Sequence, residues 1–145
     1  MNRPIENINV KGRFLGIFIL AIIQSLIGFI HIFFGIFLLV GSYVPVASFS
    51  AAPLIYNSYT LVYGLLTVFF TYLFWKGKQS GWIGTAAISI FVTAADILAI
   101  FDLFNVLGIP KTAGLGEIPY SLIILFYLSQ NHVRSKYNII ATNFL

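Results

Sequence analysis

The stretch FLGIFILAIIQSLIGFIHIFFGIFLLV, residues 14–40, contains no Asp, Glu, Lys or Arg, and it decides the fold class. At a rise of 1.5 Å per residue it makes a helix about 40 Å long, more than the roughly 30 Å hydrocarbon core of a bilayer demands. Arg3, Lys11 and Arg13 precede it, as they would a signal peptide, but a signal h-region runs only about 7 to 15 residues. A retained transmembrane helix is the expectation.

The rest of the chain agrees with that start. Of 145 residues, 59% are hydrophobic and 8% charged, against about 25% charged in a soluble domain, and the mean hydropathy is +0.96. The net charge of +4 comes from eight Lys and Arg set in small groups beside hydrophobic segments. That placement reads as topology and contact with anionic lipid, not as nucleic-acid binding. The absence of cysteine excludes disulfides, thiol catalysis and thiolate metal sites, and leaves the compartment open.

Four hydrophobic segments are drawn, at about 14–40, 55–75, 81–105 and 117–131, giving an all-α, up-down bundle of four transmembrane helices in a single domain spanning residues 1–145. The fourth is short and must recruit flanking residues or sit off-centre. Arg3, Lys11, Arg13, Lys76, Lys78, Arg134 and Lys136 fall on one side, and Lys111 alone on the other. The positive-inside rule then places both termini in the cytoplasm, in a multi-pass cell-membrane protein. Trp75 and Trp82 flank the inner turn as an aromatic belt would. The first outer connection, GSYVPVASFSAAPLIYN, is uncharged and reads as a lid on the bilayer or a surface for a partner. The second, VLGIPKTAGLG, reads as a turn opening the last helix at Glu117 and Pro119.

In lipid, helices associate through small residues and interhelical hydrogen bonds. Gln24, Gly28, His31 and Gly35 step by four, three and four along one stripe of the first span. Asn57, Thr60, Gly64, Thr67 and Thr71 do the same on the second. On the third, Thr85, Ser89, Thr93 and Asp96 share a face, with Gly81 near its edge and Asp102 pointing elsewhere. These seams are expected to face one another in a left-handed bundle. Gly28, Gly35 and Gly64 would serve helix packing, and Gln24, His31, Asn57, Thr60, Ser89 and Asp96 a buried polar network. Counted from the cytoplasmic ends, His31, Asp96 and Thr60 lie about 22 to 25 Å deep, in one layer that Glu117 could join.

A carboxylate at that depth is costly and needs a partner or a task. Three readings of the layer stay open. In the structural one, His31 pairs with Asp96 and the network fixes helix register. In the second, the layer is a proton or cation path, although no inverted repeat is evident and oligomerisation would be needed. In the third, His31, Asp96 and Glu117 form a weak candidate metal set, with ligand types but no spacing motif. Asp102 with Asn105 reads as a solvated or partner-facing helix end, and His132 as a headgroup-level histidine. The tail KYNIIATNFL suits lying on the membrane or docking on a neighbour. Nucleophile triad, phosphate loop and haem motif are all missing from the sequence, so no catalytic residue, resident metal or cofactor is assigned beyond lipid contacts.

Three segments, residues 2–41, the junction LFWKGKQSGWIG at 73–84 and the ending IPYSLIILFYLSQNHVRSKYN at 118–138, together resemble small four-helix membrane proteins of archaea and some bacteria whose function is unassigned. The positions that carry the resemblance are Gly77, Lys78, Trp82, Tyr127, Leu128, Val133 and Lys136. It implies the four-helix layout and carries over nothing catalytic. Asp96 and Asp102 lie outside the shared pattern.

The reading that follows is an accessory, non-catalytic integral membrane subunit of a larger complex, not an independent enzyme. An archaeal respiratory or monooxygenase assembly, for example of the ammonia monooxygenase type, is the expected setting. Its partners would be other integral membrane subunits and lipids, with self-association left open. The alternative is a small oligomeric proton- or cation-linked transporter or channel built on the His31 and Asp96 layer.

Overall fold

The apolar runs fold as long helices because, once out of water, a helix satisfies its own backbone groups. The computed structural model describes residues 5–42, 51–103 and 108–139. They form α1 (Ile5–Ser42), α2 (Ala51–Trp75), α3 (Gln79–Ile100), α4 (Lys111–Ser129) and the short α5 (Asn131–Lys136), with no strand among the described residues. Four segments are long and apolar enough to cross a membrane: Leu15–Gly41, Leu54–Trp75, Gln79–Ile100 and Lys111–Ser129. Residues 43–50 of the first outer connection, Arg3, Asn105 and the tail beyond Ile139 lie outside the described residues.

Two helix ends differ from the sequence-based boundaries. α3 stops at Ile100, not near 105, because Asp102 adopts a left-handed conformation with φ 54°. The Leu103 amide then donates to the Leu98 carbonyl at 3.0 Å, and the Asp102 amide to Ala99 at 3.2 Å. This is the Schellman closure of a helix, with Asp in the place glycine usually takes. α4 begins at Lys111, six residues before Glu117, so its glycines belong to the helix and not to a turn. The fourth segment is therefore long enough to cross without recruiting residues beyond its end.

Gly77 closes α2 in the same way. Its φ is 71°, its amide donates to Phe74, and the Lys78 amide donates to Leu73 at 3.0 Å. A Cβ at Gly77 would meet nothing within 4 Å. Gly77→Ala is therefore expected to cost only the left-handed conformation, roughly 1 to 2 kcal/mol. A lower midpoint in reversible unfolding from micelles, with unchanged helix content, checks this.

Each long helix runs antiparallel to its neighbours in sequence, and α4 returns to α1. α1 and α2 meet through glycine: a Cβ on Gly64 would lie 2.7 Å from the Ile32 amide nitrogen, and one on Gly35 2.7 Å from the Leu61 Cα. Gly81 of α3 lies against the backbone of Leu73 and Phe74, and Gly84 against the ring of Phe70. Gly114 of α4 lies against Asp96 of α3, while His31 of α1 reaches Glu117 of α4. The result is a ring of four helices whose polar seams line the centre.

The end shared by the start of α1, the α2–α3 turn and α5 is closed by an apolar plug. Ile17, Leu20, Phe74, Ile124, Leu128, Val133 and Tyr137 form one buried cluster. Tyr137 stacks on Phe74 with centroids 4.7 Å apart, and its hydroxyl donates to the Phe74 carbonyl at 2.7 Å. Burial, and then the neighbouring Tyr127, push the Tyr137 phenol up, which keeps it a donor. The indole of Trp82 donates to the Leu128 carbonyl at 3.2 Å, satisfying one acceptor left open by the end of α4. The described part of the C-terminal tail, through Ile139, thus docks on the bundle itself.

Candidate functional site

The polar residues on the inner seams occupy one column along the axis. Gln24, Asn57, Thr60, Ser89 and Asp96 are buried, and His31 is partly so. Two of the hydrogen bonds along the column lie at separate levels. Thr60 donates its hydroxyl to the Tyr56 carbonyl one turn back, at 2.9 Å. Gln24 accepts from the Thr71 hydroxyl at 3.5 Å, at a different level. Between these levels lies a cavity of about 10 Å³ bordered by Gln24, Tyr63, Thr67, Thr85, Ser89 and Tyr120. That is room for one water.

The end of the column away from the Phe74–Tyr137 plug holds the ionisable groups, and here the expected pairing changes. His31 pairs with Glu117, not Asp96: its Nε2 lies 3.4 Å from Glu117 Oε1. Its Nδ1 lies 2.8 Å from the Ile27 carbonyl, which can only accept, so Nδ1 carries a proton. The Nε2 to Oε1 contact then needs one proton between the two groups. The pair is either imidazolium and carboxylate or imidazole and carboxylic acid, and both hold a single proton. Tyr63 packs edge-on against the imidazole, with centroids 4.7 Å apart. That contact fixes the ring from the α2 side.

Asp96 is completely buried, and neither carboxylate oxygen has a hydrogen-bond partner among the described residues. Its near neighbour on α4 is Gly114, whose Cβ, if present, would lie 3.2 Å from the Asp96 Cβ. No three His, Cys, Asp or Glu side chains among the described residues converge as a metal site. His31, Asp96 and Glu117 therefore share a neighbourhood without the geometry of a ligand set. Asp102 is exposed and pairs with Lys111 across the α3–α4 connection, and His132 packs its ring against Tyr127.

The chain matches no protein-family model, no curated protein and no solved structure.

A search for small and polar residues at helical spacing passes over the bulky Tyr63 and Tyr120, and Gly114 lies before the sequence-based start of the fourth helix. Tyr63 lies three residues after Thr60 and four before Thr67, so its position on the inner stripe was readable. Its bulk assigns it instead to the outer face. A second cavity, about 440 Å³, opens between α2 and α3 and is bordered by Ile55, Ser58, Tyr59, Val62, Tyr63, Leu66, Ile88 and Phe91. Its lining is apolar and suits a lipid chain.

Proposed function

We propose that this chain is an accessory, non-catalytic subunit of a larger complex in the cell membrane, crossing four times with both termini in the cytoplasm. The observation that carries the reading is the contrast between a filled interior and an apolar outside. Between its Gln24 and Thr60 levels the central column has room for about one water, and at one end it closes on the plug of Phe74, Leu128 and Tyr137, which among the described residues gives a single copy little with which to move or transform a solute. The outer face of α1 instead presents Phe18, Ile22, Phe29, Phe33 and Phe37, all exposed, with Phe33 and Phe37 stacked at 6.4 Å. Aromatic side chains of this kind supply much of the contact area where subunits meet. Lys76, Lys78, Arg134 and Lys136 cluster at the plugged end, which supports that end as the cytoplasmic one. An archaeal respiratory or monooxygenase assembly remains the proposed setting.

Native mass after gentle solubilisation tests the main point. The chain is expected to migrate in an assembly well above its own 16.2 kDa with defined partners; migration alone or as a small homo-oligomer would reject the accessory role. Orientation has its own check, since the absence of cysteine allows single reporters. An impermeant maleimide added to intact cells should label Lys111→Cys and spare Lys78→Cys until lysis. The reverse pattern overturns the topology.

A further inference from the structure

We propose that Asp96, together with the His31–Glu117 pair, is a proton-binding site loaded from the end of the bundle where α1 finishes and α4 begins. The inference goes beyond the accessory-subunit reading and holds whether or not the chain travels in a complex, but which side it calls outer rests on the proposed orientation, which the maleimide labelling tests separately. It starts from a buried carboxyl group for which the helices supply no donor. Asp96 is 0% exposed and both its oxygens are unpartnered, and a buried charge left so costs several kcal/mol unless something neutralises it. No Lys or Arg lies within the interior seams. The neutralising species must come from outside.

The choice among cations is decided by space and ligands. Hard metal ions such as Ca²⁺ or Mg²⁺ demand about six or more oxygen ligands, and among the described residues His31, Asp96 and Glu117 do not converge as a set that could hold one. The α4 side is closed by the backbone approach at Gly114, where even a Cβ would sit 3.2 Å from the Asp96 Cβ. A proton needs neither a coordination shell nor a cavity. It also needs a way in, and that is what the pair provides.

The groups facing Asp96 come from each packed element. On α4, Gly114 abuts Asp96 and Glu117 follows one turn later; on α1, His31 reaches Glu117; and on α2, Tyr63 packs against the His31 ring. The side chains of His31 and Glu117 are 18% and 22% exposed whereas Asp96 is not exposed at all, so the pair is the part of the site that the surroundings reach. Asp96 and Glu117 are not hydrogen-bonded to each other in this structure, so transfer, which breaks the O–H bond of the Glu117 carboxylic acid and forms one on Asp96, takes place when a water bridges the two carboxyl groups or side-chain rotation brings them together. The pair then recovers its proton from outside, at His31 Nε2 or Glu117. In the other direction the column narrows to the single-water cavity beside Gln24, Thr85 and Ser89 and stops at the plug. The site is therefore filled and emptied from one side, as a sensor of outer acidity and not as a path.

Infrared spectroscopy of oriented proteoliposomes reads the proton itself. The chain has two Asp, and Asp102 is exposed and paired with Lys111, so ¹³C-aspartate labelling identifies the Asp96 band in the unmodified protein. The expected result is an isotope-sensitive carboxylic-acid C=O band that is lost as the outer pH rises and ignores steps in inner pH. Asp96→Asn should abolish it, and Glu117→Gln or His31→Gln should shift the pH at which it disappears. If no aspartic-acid band appears at any pH at which the protein stays folded, the proposal is overturned. A band that follows the inner pH, or both sides equally, overturns the one-sided loading.

Discussion

Replacing Gly64 with alanine is expected to destabilise the bundle by about 2 kcal/mol, although the same change at Gly116 should stabilise it by up to about 1 kcal/mol. Alanine is better than glycine in a helix interior by roughly that last amount, and at Gly116 an added Cβ meets nothing within 4 Å. The propensity gain is there unopposed. At Gly64 the Cβ would lie 2.7 Å from the Ile32 nitrogen and 2.8 Å from the Gly28 carbonyl oxygen. Both are backbone atoms, so no rotamer change relieves the contact, and α1 and α2 must separate along the seam. Overpacking of this kind costs about 1 to 3 kcal/mol or more, which outweighs the propensity gain. Reversible unfolding in SDS-containing mixed micelles, run on both variants, should move the two midpoints in opposite directions. Equal midpoints would mean that the close approach of α1 and α2 does not hold the bundle together.

The same seam shows how far the sequence could be read. Small and polar residues recurring every three or four positions locate the inner face of α1, α2 and α3, because side chains so spaced share one side of a helix. Spacing cannot say at what rotation the faces meet. His31 and Asp96 lie on seams expected to face one another and have similar depths when counted from their helix ends, and these two features together suggest them as partners. Their actual relation depends on α4, whose start was misplaced by six residues. Gly114 and Gly116 read as turn residues by soluble-protein habit, whereas glycine is common within membrane helices, and Gly114 is what lets α4 approach Asp96. Starting α4 at Lys111 sets Glu117 inside the helix and beside His31. The end of α3 at Ile100 was hidden for a related reason: Asp102 occupies a left-handed position that sequence rules assign first to glycine.

Phe74→Ala should be the most damaging change at the plugged end, costing about 3 to 5 kcal/mol, the range for removing a buried aromatic ring. Phe74 is 0% exposed, and its ring lies parallel to that of Tyr137, at 12° between planes. Its backbone also meets Gly81, so the ring, the α2–α3 contact and the docked C-terminal segment converge on one residue. Tyr137→Phe separates the parts of this joint. It keeps the stacked ring and removes only the hydroxyl, and the Phe74 carbonyl still accepts from the Gly77 amide at 3.0 Å. A loss of about 1 kcal/mol, one net hydrogen bond, is then expected. Tyr137→Ala should fall between the two, because it empties half of the stack yet leaves Phe74 against α3. Unfolding midpoints ordered in that way, with protease sensitivity rising at α5 in both Ala variants, would establish the C-terminal segment as part of the core. If Tyr137→Ala leaves both the midpoint and the protease pattern unchanged, the segment only rests against the bundle, and the plug is made by α1, α2 and α4 without it.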